Sequence, residues 1–403
     1  MQRMKNVVIS NASSTTALAM IRSLGRRGIP VIATDSTPYS VGFMSRYCMR
    51  RLLYQNPIES PRESLATLVK IGHMFKRPVL LPGGDDIIFL AMKYRHIIEK
   101  AFIFPLPPNE RLQYTVDKGL TMQLASKEDV PIPRTFTPTN LEELHHLKNE
   151  LTYPVVIKPR INIGFRNIFR TKLIKAWSFE ELVAAHKLVS KYFSRPLIQE
   201  YIPGGTTNLY SLGTVFDRKH RSLGVCVERK LHQLIEGVTS CGETVDNPKI
   251  VSLAIKILKA IKWFGPAEVE FKRDSRDGEF KLIEINPRPF MWVNLPIKSG
   301  LDIPFLWYKI ALEETCEETI DVRKDLKFIN LFHYFLGFLE ELSSAKSKTE
   351  FTSYLRDLKG HFVFDLLSKE DMLPLLSYPF LLTILQTKEM LMRKKLPLNI
   401  LKM

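Results

Sequence analysis

The stretch that decides the fold is AEVEFKRDSRDGEFKLIEINPRP, residues 267–289. Runs of alternating apolar and polar residues flank the polar turn SRDG, and this pattern is typical of a β-hairpin. If Asp274 pairs with Phe280, antiparallel register places Glu270 opposite Glu284, because paired positions keep a constant sum. The sequence therefore predicts two carboxylates that face each other across a β-ladder.

The same register places Glu268 opposite Asn286, so one face of the hairpin is polar. The residues predicted for the opposite, apolar face are Val269, Phe271, Ile283 and Ile285. Facing carboxylates destabilise a sheet unless a cation lies between them, and oxygen ligands suit Mg²⁺. With Arg288 following in NPRP, we predict a divalent-cation site here. Neutralising one facing carboxylate is then expected to hold or raise the stability of the metal-free protein. The alternative is a solvated polar face balanced by Lys272 and Lys281.

Several lysines are placed where they can bind phosphate. Lys158 ends the apolar strand VVIKP, Lys118 follows an Asp on a helix, Lys230 lies in the strand ERKL, and Lys172 follows a polar loop. A solvent-facing strand end is the alternative for any one of them. PLIQEYIPGG, residues 196–205, is a strand running into a turn, whose backbone can bind a purine edge or form an interdomain hinge.

Composition limits the class of protein. The chain has 403 residues, 45% of them hydrophobic, which is enough for several packed subdomains. A net charge of +16 suits nucleic acid, anionic membrane or phosphorylated ligands, but the basic residues are scattered and no nucleic-acid-binding motif accompanies them, which makes nucleic acid a disfavoured partner. No CxxC pair occurs, and neither a signal peptide nor eighteen consecutive apolar residues are found, so we expect a cytoplasmic protein.

The first hundred residues predict a doubly wound α/β domain with a parallel sheet. The strand KNVVIS, a helix starting near Thr15 and the strand PVIATD form one βαβ unit, and a second unit with the strand RPVLLP starts near Ser60. NASSTT replaces the GxGxxG fingerprint, which argues against a nicotinamide enzyme. After Asn109 the pattern becomes α+β, with a strand expected over IFRTKLIKAW, and after Ile320 it becomes helical and apolar.

The order of Asp117-Lys118, VVIKP, QEYI, AEVEF and LIEINPR resembles the ATP-grasp superfamily over roughly residues 1–310. GIPVIATD, RPVLLPGGDD, ERKLHQ, AEVEFKRD and LIEINPRP are similar to segments of the D-aspartate ligase-like carboxylate-amine ligases. The resemblance implies an α/β and α+β chain, in which a parallel-sheet pre-ATP-grasp domain precedes a two-subdomain ATP-grasp fold and a helical C-terminal extension. The implied domains are residues 1–108 (pre-ATP-grasp), 109–204 (linker and first ATP-grasp subdomain), 205–320 (second subdomain with the metal site) and 321–403 (extension).

Carried over by position, the resemblance implies a nucleotide site. Lys118 and Lys158 would bind the phosphates of ATP. Glu200, Tyr201 and Ile202 would form the hinge that holds adenine. One departure from the family lies in the loop PRINIGFRN, which has a single glycine where many relatives have several.

The resemblance also implies a metal site and catalytic residues. The implied Mg²⁺ ligands are Glu270, Glu284 and Asn286. Arg288 and Lys230 would lie near the γ-phosphate and the acyl phosphate, and Arg229 near the substrate carboxylate. Glu268, an acid where D-alanine-D-alanine ligases have arginine, is the candidate base for the amine.

The implied activity is that of a ligase that uses ATP and Mg²⁺ to activate a carboxylate as an acyl phosphate and joins it to an amine, releasing ADP and phosphate. Its partners would be small-molecule acids and amines. The alternatives are an ATP-grasp carboxylase, a ligase with a non-amine acceptor, or a nucleotide-binding module without turnover.

The C-terminal segment joins an apolar run, LPLLSYPFLLTIL at residues 373–385, to a basic one. We expect the apolar run to pack on the ATP-grasp domain. The alternative is peripheral attachment to the inner membrane surface, in which Arg393, Lys394 and Lys395 contact anionic lipid. A homodimer is also compatible with the sequence.

Overall fold

A computed structural model describes residues 4–234, 238–316, 320, 322–344 and 348–393. The chain divides into two compact units, one formed by residues 1–104 and 365–403 and the other by residues 105–364. The strands are β1 (Val7–Ile9), β2 (Val31–Asp35), β3 (Cys48–Leu53), β4 (Val79–Leu81), β5 (Thr135–Phe136), β6 (Val155–Lys158), β7 (Ile174–Ala176), β8 (Leu197–Glu200), β9 (Leu209–Phe216), β10 (Ser222–Leu234), β11 (Val238–Thr244), β12 (Gly265–Arg273), β13 (Phe280–Asn286), β14 (Leu326–Ile329) and β15 (His361–Phe364). The α-helices are α1 (Thr15–Gly25), α2 (Pro61–Met74), α3 (Asp85–Lys93), α4 (Arg95–Ala101), α5 (Asn109–Val116), α6 (Lys118–Lys127), α7 (Leu141–His146), α8 (Phe165–Phe169), α9 (Phe179–Ser190), α10 (Pro248–Ile261), α11 (Asn294–Lys298), α12 (Ile303–Ala311), α13 (Leu331–Ser344), α14 (Lys348–Asp357) and α15 (Leu373–Arg393).

The first unit is built on a four-stranded parallel sheet in the order β3-β2-β1-β4. Strands β1, β2 and β4 are buried along their whole length, as expected for a parallel sheet covered on both faces. Helix α1 begins at Thr15, where the Ser14 side chain accepts a hydrogen bond from the Ala17 amide. The predicted parallel-sheet domain is confirmed.

The last part of the chain belongs to the first unit through Asp371. Its carboxylate accepts hydrogen bonds from Arg22 Nε at 2.9 Å, Ser45 Oγ at 2.7 Å and the Arg46 amide at 2.9 Å. The Arg22 and Asp371 side chains are only 4% and 1% exposed. The segment predicted as one extension, residues 321–403, is thus shared between the two units, because residues up to 364 belong to the second unit.

Helix α15 contains the apolar run of the C-terminal segment. Leu376 and Phe380 are each 70% exposed, whereas Leu381 is buried, so only part of the apolar run contributes to a core. The side chain of Arg393 and the residues Lys394 and Lys395 lie outside what the structure describes. No helix in the described part of the chain is both long and apolar enough to cross a membrane.

The smaller sheet of the second unit has the order β5-β8-β6-β7 and is antiparallel. Helices α7 and α9 cover it through Leu144, Leu182 and Val189, which pack with Ile157 and Ile198 of the sheet. The long strand expected over IFRTKLIKAW is wrong before Ile174, because α8 ends at Phe169 and an irregular segment leads from it to β7. Phe165 and Phe169 pack with Phe193, and this aromatic contact favours the helix.

The larger sheet has the order β13-β12-β9-β10-β11-β14-β15. Strand β14 pairs antiparallel with β11 and parallel with β15, so the segment after Ile320 contributes strands as well as helices. Strand β9 lies between β12 and β10 and therefore joins the predicted hairpin to the strand that carries ERKL.

The hairpin β12–β13 has the predicted register at one end only. Glu268 faces Asn286 and Glu270 faces Glu284, but Arg273, not Asp274, pairs with Phe280. A β-bulge after Glu270 absorbs the one-residue difference.

The turn of this hairpin keeps the shifted register. Asp274 is fully buried, and its carboxylate accepts hydrogen bonds from Arg276 Nε at 2.9 Å and Lys281 Nζ at 2.7 Å. Its amide donates to the Glu279 carbonyl at 2.8 Å, so Asp274 is opposite Glu279 and not Phe280. As a consequence Leu282 replaces Ile283 in the core: Leu282 is fully buried and faces Phe271.

Candidate active site

Two rows of side chains cross the larger sheet on one face. Direct pairing across β11, β10, β9, β12 and β13 gives the first row, which is Thr244, Glu228, Ser211, Glu270 and Glu284. The second row is Cys226, Gly213, Glu268 and Asn286. A Cβ at Gly213 would lie 2.1 Å from Cζ of Phe290, so this position needs glycine to admit the phenyl ring.

Each of the two facing glutamates is paired with a lysine. Lys118 Nζ donates to Glu284 Oε2 at 2.6 Å, and Lys230 Nζ lies 3.6 Å from Glu270 Oε2. Burial opposes ionisation of Glu284, yet the charges of Lys118, Lys172 and Lys158 together hold its pKa well below the usual range. Two ammonium groups therefore supply positive charge beside the carboxylate pair.

Hydrogen bonds to Asp117, the residue before Lys118, fix the start of α6. Asp117 is the N-cap of α6 and accepts hydrogen bonds from the amides of Gly119 and Leu120. Arg160, in the loop after β6, binds the same carboxylate through Nε at 2.9 Å and Nη2 at 2.7 Å. The Lys118 amide donates to the Arg160 carbonyl at 2.9 Å, so the loop and the start of α6 position one another.

Lys158 ends β6 and is 8% exposed. Burial and the neighbouring charge of Lys118 lower its pKa to about 8, while Glu284 and Glu270 oppose the shift. Since this value is still above neutrality, Lys158 carries its charge at pH 7. The structure thus brings Lys118, Lys158 and Lys230 to the same pair of carboxylates.

Glu268 and Asn286 are the polar residues of the second row. Asn286 Nδ2 donates to Glu268 Oε2 at 3.0 Å and to Glu270 Oε1 at 3.1 Å, and Trp292 Nε1 donates to Glu268 Oε1 at 2.7 Å. Burial and the charge of Glu270 raise the pKa of Glu268 to about 7, against the opposing effects of Lys230, Trp292 and Arg288. Glu268 therefore has the proton affinity of a general acid or base near neutral pH.

The hinge residues lie at the end of β8. The Glu200 carboxylate is engaged by Lys281 Nζ at 3.2 Å and Arg276 Nη2 at 3.3 Å, which ties the hinge to the hairpin turn. The Tyr201 amide donates to the Pro154 carbonyl at 3.1 Å, so this amide is not available to a purine. Lys175 lies 3.6 Å from the Tyr201 ring centroid, and Ile202 is buried.

The two predicted arginines differ in where they lie. Arg288 is close enough for its charge to lower the pKa of Glu268, in agreement with a place in the site. Arg229 alternates with Lys230 along β10, and its guanidinium pairs with Glu243, with Nε at 2.9 Å from Oε1. Strand alternation therefore directs Arg229 to the face opposite the carboxylates, and its place beside the substrate carboxylate stays a prediction.

Sequence reasoning missed Glu228 and Ser211. Glu228 is fully buried, and neither of its carboxylate oxygens has a hydrogen-bond partner among the described residues; the same holds for Ser211 Oγ. Burial raises the pKa of Glu228 to about 8, with Lys230 opposing and Glu268 and Glu270 reinforcing the shift. The available signal was the strand VERK, in which Glu228 and Lys230, two positions apart, share one face.

The donor set on this face fits a hard divalent cation. Within the described residues no cluster of three or more Asp, Glu, His or Cys side chains is arranged as a metal centre. The predicted ligands Glu270, Glu284 and Asn286 supply two carboxylates and one amide, which is enough for Mg²⁺ because it usually keeps few protein ligands and completes its shell with phosphate and water. Lys118 and Lys230 would have to yield the carboxylates to such an ion.

A comparison with protein families matches the part of the chain that carries these side chains. Residues 115–290 match the family model described as the ATP-grasp domain. D-aspartate ligase of Enterococcus faecium (strain Aus0004) is 28% identical over 230 residues, which cover 53% of each chain, so the chain spans about half the length of this relative.

Solved structures show the fold. Biotin carboxylase of Campylobacter jejuni, solved as a β-γ-ATP complex, has a TM-score of 0.66 at 16% identity, with 80% of this chain and 74% of that chain covered. L-amino acid ligase of Bacillus licheniformis has a TM-score of 0.63 at 15% identity, with 81% and 79% covered.

Proposed function

We propose that the protein is an ATP-dependent carboxylate-amine ligase, because residues 115–290 match the model of the ATP-grasp domain. What supports the proposal is the face on which Glu270, Glu284 and Asn286 meet Lys118 and Lys158. Opposed carboxylates and converging lysines are the chemistry that a metal-bound triphosphate requires. The similarity to D-aspartate ligase makes an amino acid such as aspartate the first acid to test.

The proposed reaction has two steps. A carboxylate oxygen of the acid attacks the γ-phosphorus of ATP, the bond to the β–γ bridging oxygen breaks, and ADP leaves. The amine nitrogen then attacks the carbonyl carbon of the acyl phosphate, inorganic phosphate leaves and the amine loses a proton. Neither step needs a nucleophilic side chain, so the protein acts through positioning and charge.

The roles of the side chains follow from their positions. Lys158 and Lys118 bind phosphate oxygens, and bound Mg²⁺ would supply the charge that brings the γ-phosphate to the acid. Arg288 stabilises the charge that develops during transfer. Glu268, with its pKa near neutrality, accepts the proton of the amine.

A pooled screen tests the proposal. Purified protein is incubated with ATP, Mg²⁺ and mixtures of amino acids and small acids, and both phosphate release and the masses of new amides are measured. We expect phosphate release that depends on one acid, together with an amide product. Phosphate release that does not depend on any acid, or an acid-dependent release without amide, would contradict the carboxylate-amine ligase assignment.

Glu279→Gln and Glu284→Gln form a matched pair for this screen. Both remove one negative charge from the hairpin, but Glu279 binds Lys249 at the surface, where the two side chains are 45% and 50% exposed. Loss of turnover in Glu284→Gln with full turnover in Glu279→Gln is the expected result.

A further inference from the structure

Glu228 is a buried acid that the proposed reaction does not use. It is fully buried, and neither carboxylate oxygen has a hydrogen-bond partner among the described residues. A buried carboxyl group without a hydrogen-bond partner is costly, and a group that could pair with it when the site is loaded would offset that cost.

Lys230 is a charged neighbour of Glu228 on the same face of β10. Lys230 faces Gly242 across the ladder between β10 and β11. A Cβ at Gly242 would lie only 2.1 Å from Glu228 Oε1, so the Glu228 carboxylate fills the space that the missing side chain leaves. This space is directly beside the Lys230 side chain.

Lys230 has hydrogen-bonding capacity to offer. Its ammonium has three N–H donors, and its ion pair with Glu270 is 3.6 Å long, beyond normal hydrogen-bond distance. Ser211, between Glu228 and Glu270 in the first row, also has a buried hydroxyl without a partner among the described residues. Among the described residues, donors and acceptors without close hydrogen-bond partners therefore lie next to one another.

We propose that Glu228 is a positioning residue that receives the Lys230 ammonium when a divalent cation takes Glu270. The inference rests on the proposed function, because it requires the metal to bind Glu270. Without Glu228, a metal on Glu270 leaves Lys230 as a buried cation beside the ion, and that repulsion opposes loading. With Glu228, the ammonium moves to an adjacent carboxyl group, which releases its proton to solvent as the ion pair forms, and the positive charge of Lys230 stays neutralised.

The test measures Mn²⁺ binding in the presence of ATP, by the loss of the electron-paramagnetic-resonance signal of free Mn²⁺, in wild type and Glu228→Gln. We expect the variant to bind Mn²⁺ about tenfold more weakly, the difference between an ion pair and a neutral hydrogen bond for Lys230. Glu279→Gln is the matched control and should bind like wild type. The melting temperature of metal-free Glu228→Gln should hold or rise, whereas a purely structural role would lower it.

Two further variants test whether Glu228 acts through Lys230. Gly242→Ala keeps the charge but displaces the carboxylate, so it should weaken Mn²⁺ binding as Glu228→Gln does. In a Lys230→Met background, Glu228→Gln should have no additional effect.

The outcomes separate the two proposals. Wild-type Mn²⁺ affinity in Glu228→Gln, or an undiminished effect of this substitution in the Lys230→Met background, overturns the role of Glu228 and leaves the ligase proposal intact. A wild-type protein that binds no Mn²⁺ with ATP overturns the metal site and the role of Glu228 together.

Discussion

Glu284→Gln should destabilise the second unit even in the absence of ligand. Lys118 Nζ lies 2.6 Å from Glu284 Oε2, and the two side chains are 10% and 17% exposed. Removing one partner of a buried pair costs about 3 kcal/mol, because the other charge stays buried. Relief of the repulsion from Glu270 returns up to about 1 kcal/mol, so we expect a net loss of about 2 kcal/mol.

The direction of this effect is opposite to the expectation from the hairpin alone. The sequence predicts two facing carboxylates whose repulsion a substitution would relieve, but the structure adds an ammonium partner for each. The net cost is therefore set by the loss of the partner of Lys118.

Differential scanning calorimetry of the metal-free protein is the assay. A loss of about 2 kcal/mol corresponds to a fall of about 4 to 8 °C in the melting temperature of a unit of this size. Glu279→Gln removes an exposed ion pair and should change stability by no more than about 1 kcal/mol. A Glu284→Gln protein that melts at or above the wild-type temperature would refute the reasoning.

Three other substitutions have expected results. Lys158→Ala should weaken ATP binding in the presence of Mg²⁺ by about 1.5 to 3 kcal/mol, the worth of a charge-assisted contact, and calorimetry that finds unchanged affinity would remove Lys158 from the site. Asp371→Asn should lower the free energy of unfolding of the first unit by about 3 kcal/mol, because it leaves Arg22 buried without its carboxylate. A variant with the same melting temperatures as wild type would contradict this. Gly213→Ala should lower the free energy of unfolding by about 1 to 3 kcal/mol, because the new methyl group clashes with Phe290. Replacing the phenyl ring by the smaller leucine side chain, in Gly213→Ala/Phe290→Leu, should recover part of the lost melting temperature.

The sequence predicted what depends on local pattern. The pairs Glu268 with Asn286 and Glu270 with Glu284 follow from strand alternation and a constant register sum, and the structure confirms them. The bulge was not predictable in this way, because it goes with the shifted register that the buried Asp274 keeps in the turn.

The sequence could not predict contacts between distant segments. Lys118 and Glu284 are 166 positions apart, and their ion pair depends on how α6 meets the larger sheet. Likewise, alternation places Glu228 and Lys230 on one face, but only the pairing of Lys230 with Gly242 shows what occupies the space beside the lysine. Arg229 shows what alternation alone can predict, since its position between Glu228 and Lys230 on β10 already indicates that it faces the other side of the sheet.

The ion pair between Arg22 and Asp371 has a consequence for biosynthesis. The two residues are 349 positions apart, so a ribosome that adds about 5 to 20 residues per second makes Asp371 about 20 to 70 s after Arg22. During that interval the guanidinium must remain hydrated, or be shielded by a chaperone, because its carboxylate does not yet exist. The second unit, residues 105–364, is complete before Asp371 emerges, and so of these two units the one whose synthesis begins earlier is the last to be able to finish folding.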